Sequence, residues 1–172
     1  FARGKSKRDL SRFLVTRGLW LIILELTLVR LGASFSFDYK FLGFLQVIWV
    51  IGVSMIVLAA LIHLPLKVVG VFGLAMIALH NLLDRFPVQP WQGPGTPVPG
   101  VGAKLWMLLH QQGGYPIAGW PSPFLFVVYP LIPWIGVMAV GYVFGALYQM
   151  DTKRRKRMLL WIGGTAVGLF FV

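Results

Sequence analysis

Long apolar runs alternate with short polar clusters along this sequence. A bilayer core about 30 Å thick needs roughly 20 apolar residues of helix to cross it, and several of the runs approach or exceed that length. The pattern therefore predicts an all-α fold, a polytopic transmembrane helical bundle of about five helices, as one domain over residues 1–172. The predicted spans are about 13–33, 41–64, 66–84, 123–149 and 158–172.

Composition agrees with a protein of the membrane. Of the 172 residues, 58% are hydrophobic and 12% are charged, whereas soluble domains carry about 25% charged residues. Cysteine is absent, which excludes disulfides and thiolate metal ligands. The three histidines lack the spacing of a metal site, so no metal is expected. Because the sequence begins at Phe1 and ends inside an apolar run at Val172, we expect an interior piece of a longer protein.

The basic residues orient the predicted helices. Clusters before the first run, after the second and before the fifth share one side, and they hold 12 of the 16 Lys and Arg residues. The positive-inside rule puts these clusters in the cytoplasm. The lipid bilayer is therefore the expected partner, and nucleic acid is not, because the net charge of +11 is divided among short inter-helix segments. The cytoplasmic residues are Arg3, Lys5, Lys7, Arg8, Arg12, Arg17, Lys67 and the run 153–157.

The segment 85–122 is predicted to be a long external loop, rich in proline and glycine. Loops of this length are usually functional or disordered. Within it, residues 104–110 have the pattern of a short helix lying on the membrane surface. A loop that simply packs over helix ends is an equal alternative.

Polar side chains of four predicted helices fall at a similar depth, about 6–11 Å below the outer boundary at 1.5 Å per residue. They are Glu25, Gln46, His80 and Tyr129. Ionisable groups in a bilayer core are costly, so they support a functional hypothesis. The layer predicts a polar pocket open to the outside, although interhelical hydrogen bonding would also explain it.

A histidine and a carboxylate on one predicted helix provide the candidate chemistry. His80 and Asp84 are four residues apart, so an α-helix would carry both on one face. Asp84 would then orient the imidazole as a general base. The catalytic candidates are His80, Asp84 and Glu25, and the substrate-binding candidates are Gln46, Asn81 and Tyr129.

The basic run before the last predicted helix permits two interpretations. Lys153, Arg154 and Arg155 could hold the phosphates of a nucleotide cofactor. They could instead anchor the helix end to anionic lipid, which is the commoner role of such a cluster.

Four stretches together resemble a known family. They are 13–21 (FLVTRGLWL), 41–49 (FLGFLQVIW), 80–84 (HNLLD) and 129–138 (YPLIPWIGVM). In this order they resemble bacterial membrane proteins related to heparan-alpha-glucosaminide N-acetyltransferase, over nearly the whole chain.

The resemblance implies an integral protein of the bacterial inner membrane. The distribution of basic residues then puts loop 85–122 on the periplasmic side. It implies an acyltransferase that moves an acetyl or acyl group from cytoplasmic acetyl-CoA or acyl-CoA to an extracytoplasmic sugar or amine. The family's catalytic histidine lies ahead of the matched part, and no residue here corresponds to it. His80 is therefore a candidate from the residues alone.

Two other classes of function remain open at this stage. The chain could be a non-catalytic accessory subunit of a larger membrane complex of respiratory or photosynthetic type, because its many aromatic residues could face other membrane subunits. It could also be a small-molecule transporter, for which the only hint is a helix kink expected at Pro130 and Pro133.

Overall fold

The computed structural model describes residues 6–38 and 40–171, so Arg3 and Lys5 of the basic cluster and the last residue of the predicted helix 158–172 lie outside it. Its helices are α1 (Lys7–Leu24), α2 (Arg30–Ser34), α3 (Val47–Leu61), α4 (Leu66–Leu79), α5 (Val101–Leu109), α6 (Trp134–Phe144) and α7 (Thr152–Phe170). Its strands are β1 (Phe41–Leu45), β2 (Gly113–Pro116) and β3 (Phe124–Val127). A π-helical turn, Glu25–Val29, joins α1 to α2, and 3-10 turns at His80–Arg85 and Gly145–Gln149 extend α4 and α6.

The three strands form one mixed sheet in the order β1-β3-β2, with β3 parallel to β1 and antiparallel to β2. The register pairs Phe44 with Phe126 across the parallel strands and Tyr115 with Leu125 across the antiparallel ones. Met107 of α5 packs beneath the sheet and is fully buried. Residues of all three strands therefore form a small core together with α5.

The predicted all-α bundle of about five transmembrane helices is wrong. Part of the chain forms the sheet, and within residues 6–38 and 40–171 one segment, Leu66–Arg85, is long and apolar enough to cross a membrane. The apolar helices Val47–Leu61 and Trp134–Gln149 are shorter than that. The predicted external loop, 85–122, contains α5 and β2. A helix thus forms where residues 104–110 suggested one, while its position on a membrane surface stays a prediction.

The apolar run 41–64 fails to form one helix because its first residues are extended. Gly43 has a φ of +136°, which a residue with a side chain rarely adopts. Gln46 is also extended, with φ −106° and ψ −151°, and α3 begins directly after it. The apolar character of the run is real, but it is shared between a strand and a helix.

The run 123–149 is divided in the same way by its prolines. Pro130 and Pro133 cannot donate backbone hydrogen bonds, and each disfavours helix at the residue before it. A helix through both would be disrupted, so β3 occupies the first part of the run and α6 starts at Trp134, after Pro133. The sequence predicted a helix kinked at Pro130 and Pro133. The prolines instead delay the start of the helix to Trp134.

Two glycine pairs allow the helices to pack closely. A Cβ atom on Gly18 of α1 would lie 2.5 Å from the carbonyl oxygen of Gly52 of α3. Likewise, a Cβ on Gly136 of α6 would lie 2.7 Å from the carbonyl oxygen of Gly73 of α4. Because α6 also packs against α3, these crossings join α1, α3, α6 and α4 into one layer. Small residues at helix crossings are typical of helix pairs in membranes.

We predict that Gly136→Ala destabilises the protein by about 1–3 kcal/mol, because the added methyl group forces two backbones apart. Gly141→Ala on the same helix is the matched control. Its Cβ would meet nothing within 4 Å, and alanine favours helix over glycine by about 0.5–1 kcal/mol. Thermal unfolding followed by circular dichroism should separate the two variants in opposite directions. Equal midpoints would show that the Gly73–Gly136 crossing is not close in solution.

Candidate functional site

Glu25 is a buried carboxylate at the start of α3, with 1% of its surface exposed. Its Oε1 accepts a hydrogen bond from the backbone N–H of Gln46 at 3.2 Å, and its Oε2 accepts one from that of Trp49 at 3.3 Å. The first backbone N–H groups of a helix have no partner within the helix. Glu25 supplies that partner from another helix, and a negative charge is favourable at a helix N-terminus.

The π-helical turn that begins at Glu25 also positions a buried arginine. Arg30, with 4% of its surface exposed, donates from Nε to the carbonyl oxygen of Phe41 at 2.9 Å and from Nη2 to that of Asp38. Residues five apart lie on one face of a π-helix. The turn therefore directs Glu25 toward α3 and Arg30 toward the chain entering β1.

The Glu25 contact extends to Tyr129 through Trp49. The indole N–H of Trp49 donates to the backbone carbonyl of Tyr129 at 3.3 Å, and the backbone N–H of Tyr129 donates to the carbonyl of Leu45 at 3.2 Å. Glu25, Gln46 and Tyr129 of the predicted polar layer are thus brought into one region. They meet largely through backbone groups, which fits a structural joint better than a substrate pocket.

His80 forms its hydrogen bond within its own helix. Its half-buried ring donates from Nδ1 to the carbonyl oxygen of Ile77, 2.7 Å away on the same helix. Within the described residues, no hydrogen bond or ion pair joins His80 to Glu25 or to Asp84. Asn81 is exposed on the following turn. The roles assigned to these residues from the sequence stay predictions.

A change of helix type separates His80 from Asp84. Residues 80–85 form a 3-10 turn with about 3.0 residues per turn. Four residues then correspond to a rotation of about 120° past a full turn, compared with about 40° in an α-helix. Asp84 is consequently turned away from the ring that the sequence spacing assigned to it.

Asp84 instead contacts His110, at the C-terminal end of α5. Asp84 Oδ1 lies 2.8 Å from His110 Nε2. The His110 side chain is 6% exposed and that of Asp84 is 68% exposed. A carboxylate that reaches the surface therefore holds one nitrogen of a buried imidazole, a contact that can orient the ring.

Residues on both sides of His110 hold α5 in place. The Gln111 side chain accepts from the backbone N–H of Val88 at 2.9 Å and donates to its carbonyl at 2.7 Å. The carbonyl of Leu109 accepts from the N–H of Ile132 at 2.8 Å. At the other end of α5, Lys104 lies over the ring of Tyr115, and burial raises the pKa of the Tyr115 hydroxyl above its ordinary value. The imidazole is thus fixed between two chain segments.

A cavity of about 230 Å³ adjoins the Asp84–His110 pair. Its lining includes both side chains, together with Phe86 and Pro87. A larger cleft of about 420 Å³ lies between α3 and α6, but its walls are almost wholly apolar and Ser54 and Tyr142 supply its hydroxyl groups. The smaller cavity therefore carries the groups that can move a proton.

The basic candidates lie far along the chain, on the first turn of α7. Lys153 and Arg154 are exposed, and the guanidinium of Arg155 lies 5.8 Å from the ring centroid of Tyr148. Asp151 caps the helix by accepting from the N–H of Arg154 at 3.1 Å. Exposed cationic side chains at a helix start suit an anionic lipid surface or a phosphate equally well.

Sequence reasoning missed the Asp84–His110 pair because 26 residues separate its members. No local spacing rule connects residues at that distance. The residues that bring them together, Gln111 at the end of α5 and the prolines around Val88, look like ordinary loop sequence. A useful signal was present only in the pattern of residues 104–110, which indicated a short helix.

The family model for heparan-alpha-glucosaminide N-acetyltransferase, catalytic, matches residues 1–171. The chain therefore belongs to the family of this catalytic domain, as the ordered motifs indicated. Membership in the family indicates acyltransferase-like chemistry, with acetyl-CoA as the donor that enzymes of this type use. No curated protein and no solved structure matches the chain.

We predict that Glu25→Ala lowers the free energy of unfolding by about 1–3 kcal/mol, because it leaves two backbone N–H groups at the start of α3 without an acceptor. Glu25→Gln, which keeps one side-chain oxygen, should lose less. Thr27→Ala is the control on the same π-helical turn, since its exposed side chain donates to the carbonyl of Ile23 within the same helical segment. Chemical denaturation should show the largest loss of unfolding free energy for Glu25→Ala, a smaller loss for Glu25→Gln and the smallest for Thr27→Ala. An equal loss for Glu25→Ala and Thr27→Ala would contradict the capping role.

Proposed function

We propose that the protein transfers an acyl group from acyl-CoA to a hydroxyl or amine of an acceptor on the outer side of a bacterial cytoplasmic membrane. The observation that carries the proposal is the family match over residues 1–171. The geometry supports it through the Asp84–His110 pair beside a cavity, because acyl transfer needs a group that removes a proton from the acceptor.

The reaction forms one bond and breaks one. The acceptor's oxygen or nitrogen attacks the carbonyl carbon of the acyl thioester, the carbon–sulfur bond breaks, and coenzyme A leaves as its thiol. The proton that the acceptor loses is the one that the thiolate gains. Neither oxidant nor reductant is required.

Several exposed apolar surfaces support a position in the membrane. Leu66–Arg85 has the length and composition of a span, yet only 11% of its apolar window is buried in the protein. Trp161 of α7 is 73% exposed. Such surfaces would be costly in water and suit lipid. The exposed cations Lys153 and Arg154 then lie at the cytoplasmic face, where anionic headgroups or the phosphates of acyl-CoA would bind them.

An accessory subunit is the second candidate function, and α7 is the observation that favours it. The helix buries none of its residues between Thr152 and Phe170. A partner helix would cover this surface as well as lipid would. A stable stoichiometric complex that binds no acyl-CoA would support this candidate, whereas acyl-CoA binding by the purified protein alone would exclude it.

The proposed activity can be measured with radiolabelled acetyl-CoA in proteoliposomes. We predict acceptor-dependent transfer of label, tested with a panel of amino sugars and sugar alcohols. Replacing Lys153, Arg154 and Arg155 by alanine should raise the KM for acetyl-CoA and leave the KM for the acceptor unchanged. Lys7→Ala with Arg8→Ala, on another exposed basic segment, is the control. Absence of transfer to every acceptor would refute the proposed function.

The proposed orientation can be tested directly because the chain contains no cysteine. Single cysteines replace exposed Gln89, in the predicted periplasmic segment, and exposed Thr152, at the start of α7. We predict that a membrane-impermeant maleimide labels Gln89→Cys in intact spheroplasts and labels Thr152→Cys only after lysis. Labelling of both positions, or of Thr152→Cys alone, in intact spheroplasts would contradict the proposed orientation.

A further inference from the structure

His110 combines a buried side chain with a ring nitrogen that has no hydrogen-bond partner among the described residues. Its side chain is 6% exposed, its Nε2 contacts Asp84, and its Nδ1 is buried without a hydrogen-bond partner among the described residues. A buried polar atom left without a partner costs about 1–3 kcal/mol. The structure retains that cost at a ring nitrogen whose side chain lines the cavity.

We propose that Asp84 and His110 are the proton-transfer pair of this protein and that the cavity beside them receives the reactive group of the acyl acceptor. The proposal rests on the proposed acyl transfer and names its catalytic residue. Asp84 accepts the Nε2 proton of His110, so the neutral ring keeps its lone pair on Nδ1. Nδ1 has no accessible surface in this structure, so the acceptor's O–H or N–H group supplies the donor that Nδ1 lacks once the imidazole has shifted toward the cavity that its side chain lines.

The proton balance follows from this tautomer. Nδ1 takes the acceptor's proton as the acceptor attacks the thioester carbonyl carbon, and Asp84 steadies the positive charge that develops on the ring. The imidazolium then returns the proton to the departing thiolate of coenzyme A. The pair ends the cycle in its starting state.

The surroundings of the pair suit this role. Phe86 and Pro87 add apolar surface to the lining of the cavity. The Trp106 ring lies 5.4 Å from the imidazole, centroid to centroid. Gln111 fixes the backbone directly after His110 through both of its bonds to Val88. The Asp84 carboxylate is 68% exposed and orients the ring from the Nε2 side.

The position of His80 makes it a weaker candidate for the same step. Its Nδ1 is occupied by the carbonyl of Ile77 on its own helix, and among residues 6–38 and 40–171 no carboxylate forms an ion pair with its ring. Asp84, the residue that the sequence assigned to it, is already held by His110. Replacing His110 should therefore impair acyl transfer more than replacing His80, and one set of variants can compare the two.

The test compares His110→Gln, Asp84→Asn, His80→Gln and the control His63→Gln, a change at an exposed histidine in the turn after α3. Glutamine at 110 can still donate to Asp84 but cannot take up a proton. We expect His110→Gln to lower kcat by about 10²–10⁴-fold, the usual contribution of general-base catalysis. Asp84→Asn should lose less, and His63→Gln should keep the wild-type rate.

The pH profile distinguishes catalysis from a merely structural role. In the wild type, kcat/KM should depend on pH, and this dependence should be absent in His110→Gln while acetyl-CoA still binds. ¹⁵N NMR of histidine-labelled protein gives a readout without turnover: His110 should show a protonated Nε2 and a bare Nδ1.

The outcomes are separable. Acyl transfer that persists in His110→Gln, or that is lost in His80→Gln alone, would overturn the proton-transfer pair and leave the proposed function standing. A protonated Nδ1 on His110 in the active enzyme would also overturn it. Absence of acyl transfer by the wild-type protein would overturn the proposed function and the pair together.

Discussion

The arrangement of this chain depends on the buried carboxylate of Glu25, which connects the π-helical turn to the start of α3. It lies at the π-helical turn between α1 and α2 and accepts hydrogen bonds from both ends of the first turn of α3. Because α3 begins directly after β1, the same contact fixes where the strand stops and the helix starts. A neutral apolar residue at this position would leave the helix start unsatisfied.

The position of β1 in turn constrains the positions of the other two strands and of α5. β1 pairs with β3, β3 pairs with β2, and the fully buried Met107 of α5 packs beneath all three. The chain leaving β3 donates back to the end of α5 through the N–H groups of Leu131 and Ile132. The last residue positioned in this way is His110. The sheet therefore places the imidazole from one side while the end of α4 presents Asp84 from the other.

The type of secondary structure could be predicted from the sequence only where an apolar run forms a single helix or strand. The run at 66–84 forms one helical segment, and the helix suggested within 85–122 is present as α5. The runs 41–64 and 123–149 were misassigned because hydropathy does not distinguish a buried strand from a buried helix. Gly43, Pro130 and Pro133 were the local signals that favoured extended backbone, and the length of the apolar runs outweighed them.

The candidate site shows the same limit more sharply. Glu25, Gln46 and Tyr129 do come together, but mostly through backbone bonds that side-chain reasoning cannot anticipate. The spacing of His80 and Asp84 presumed an α-helix, and the 3-10 turn removed that relation. His110 became a candidate only once α5 and the segment after α4 were seen in contact. Pairings between distant segments are set by the sheet, and a single sequence contains no local mark of them.

A double-mutant cycle on acyl transfer is the most direct test of the claim that the fold makes Asp84 and His110 one functional unit. It compares kcat for the wild type, Asp84→Asn, His110→Gln and the combined variant. The account predicts strong non-additivity, with Asp84→Asn costing almost nothing once His110 has been replaced. Losses that multiply, as expected of two independent residues, would contradict it.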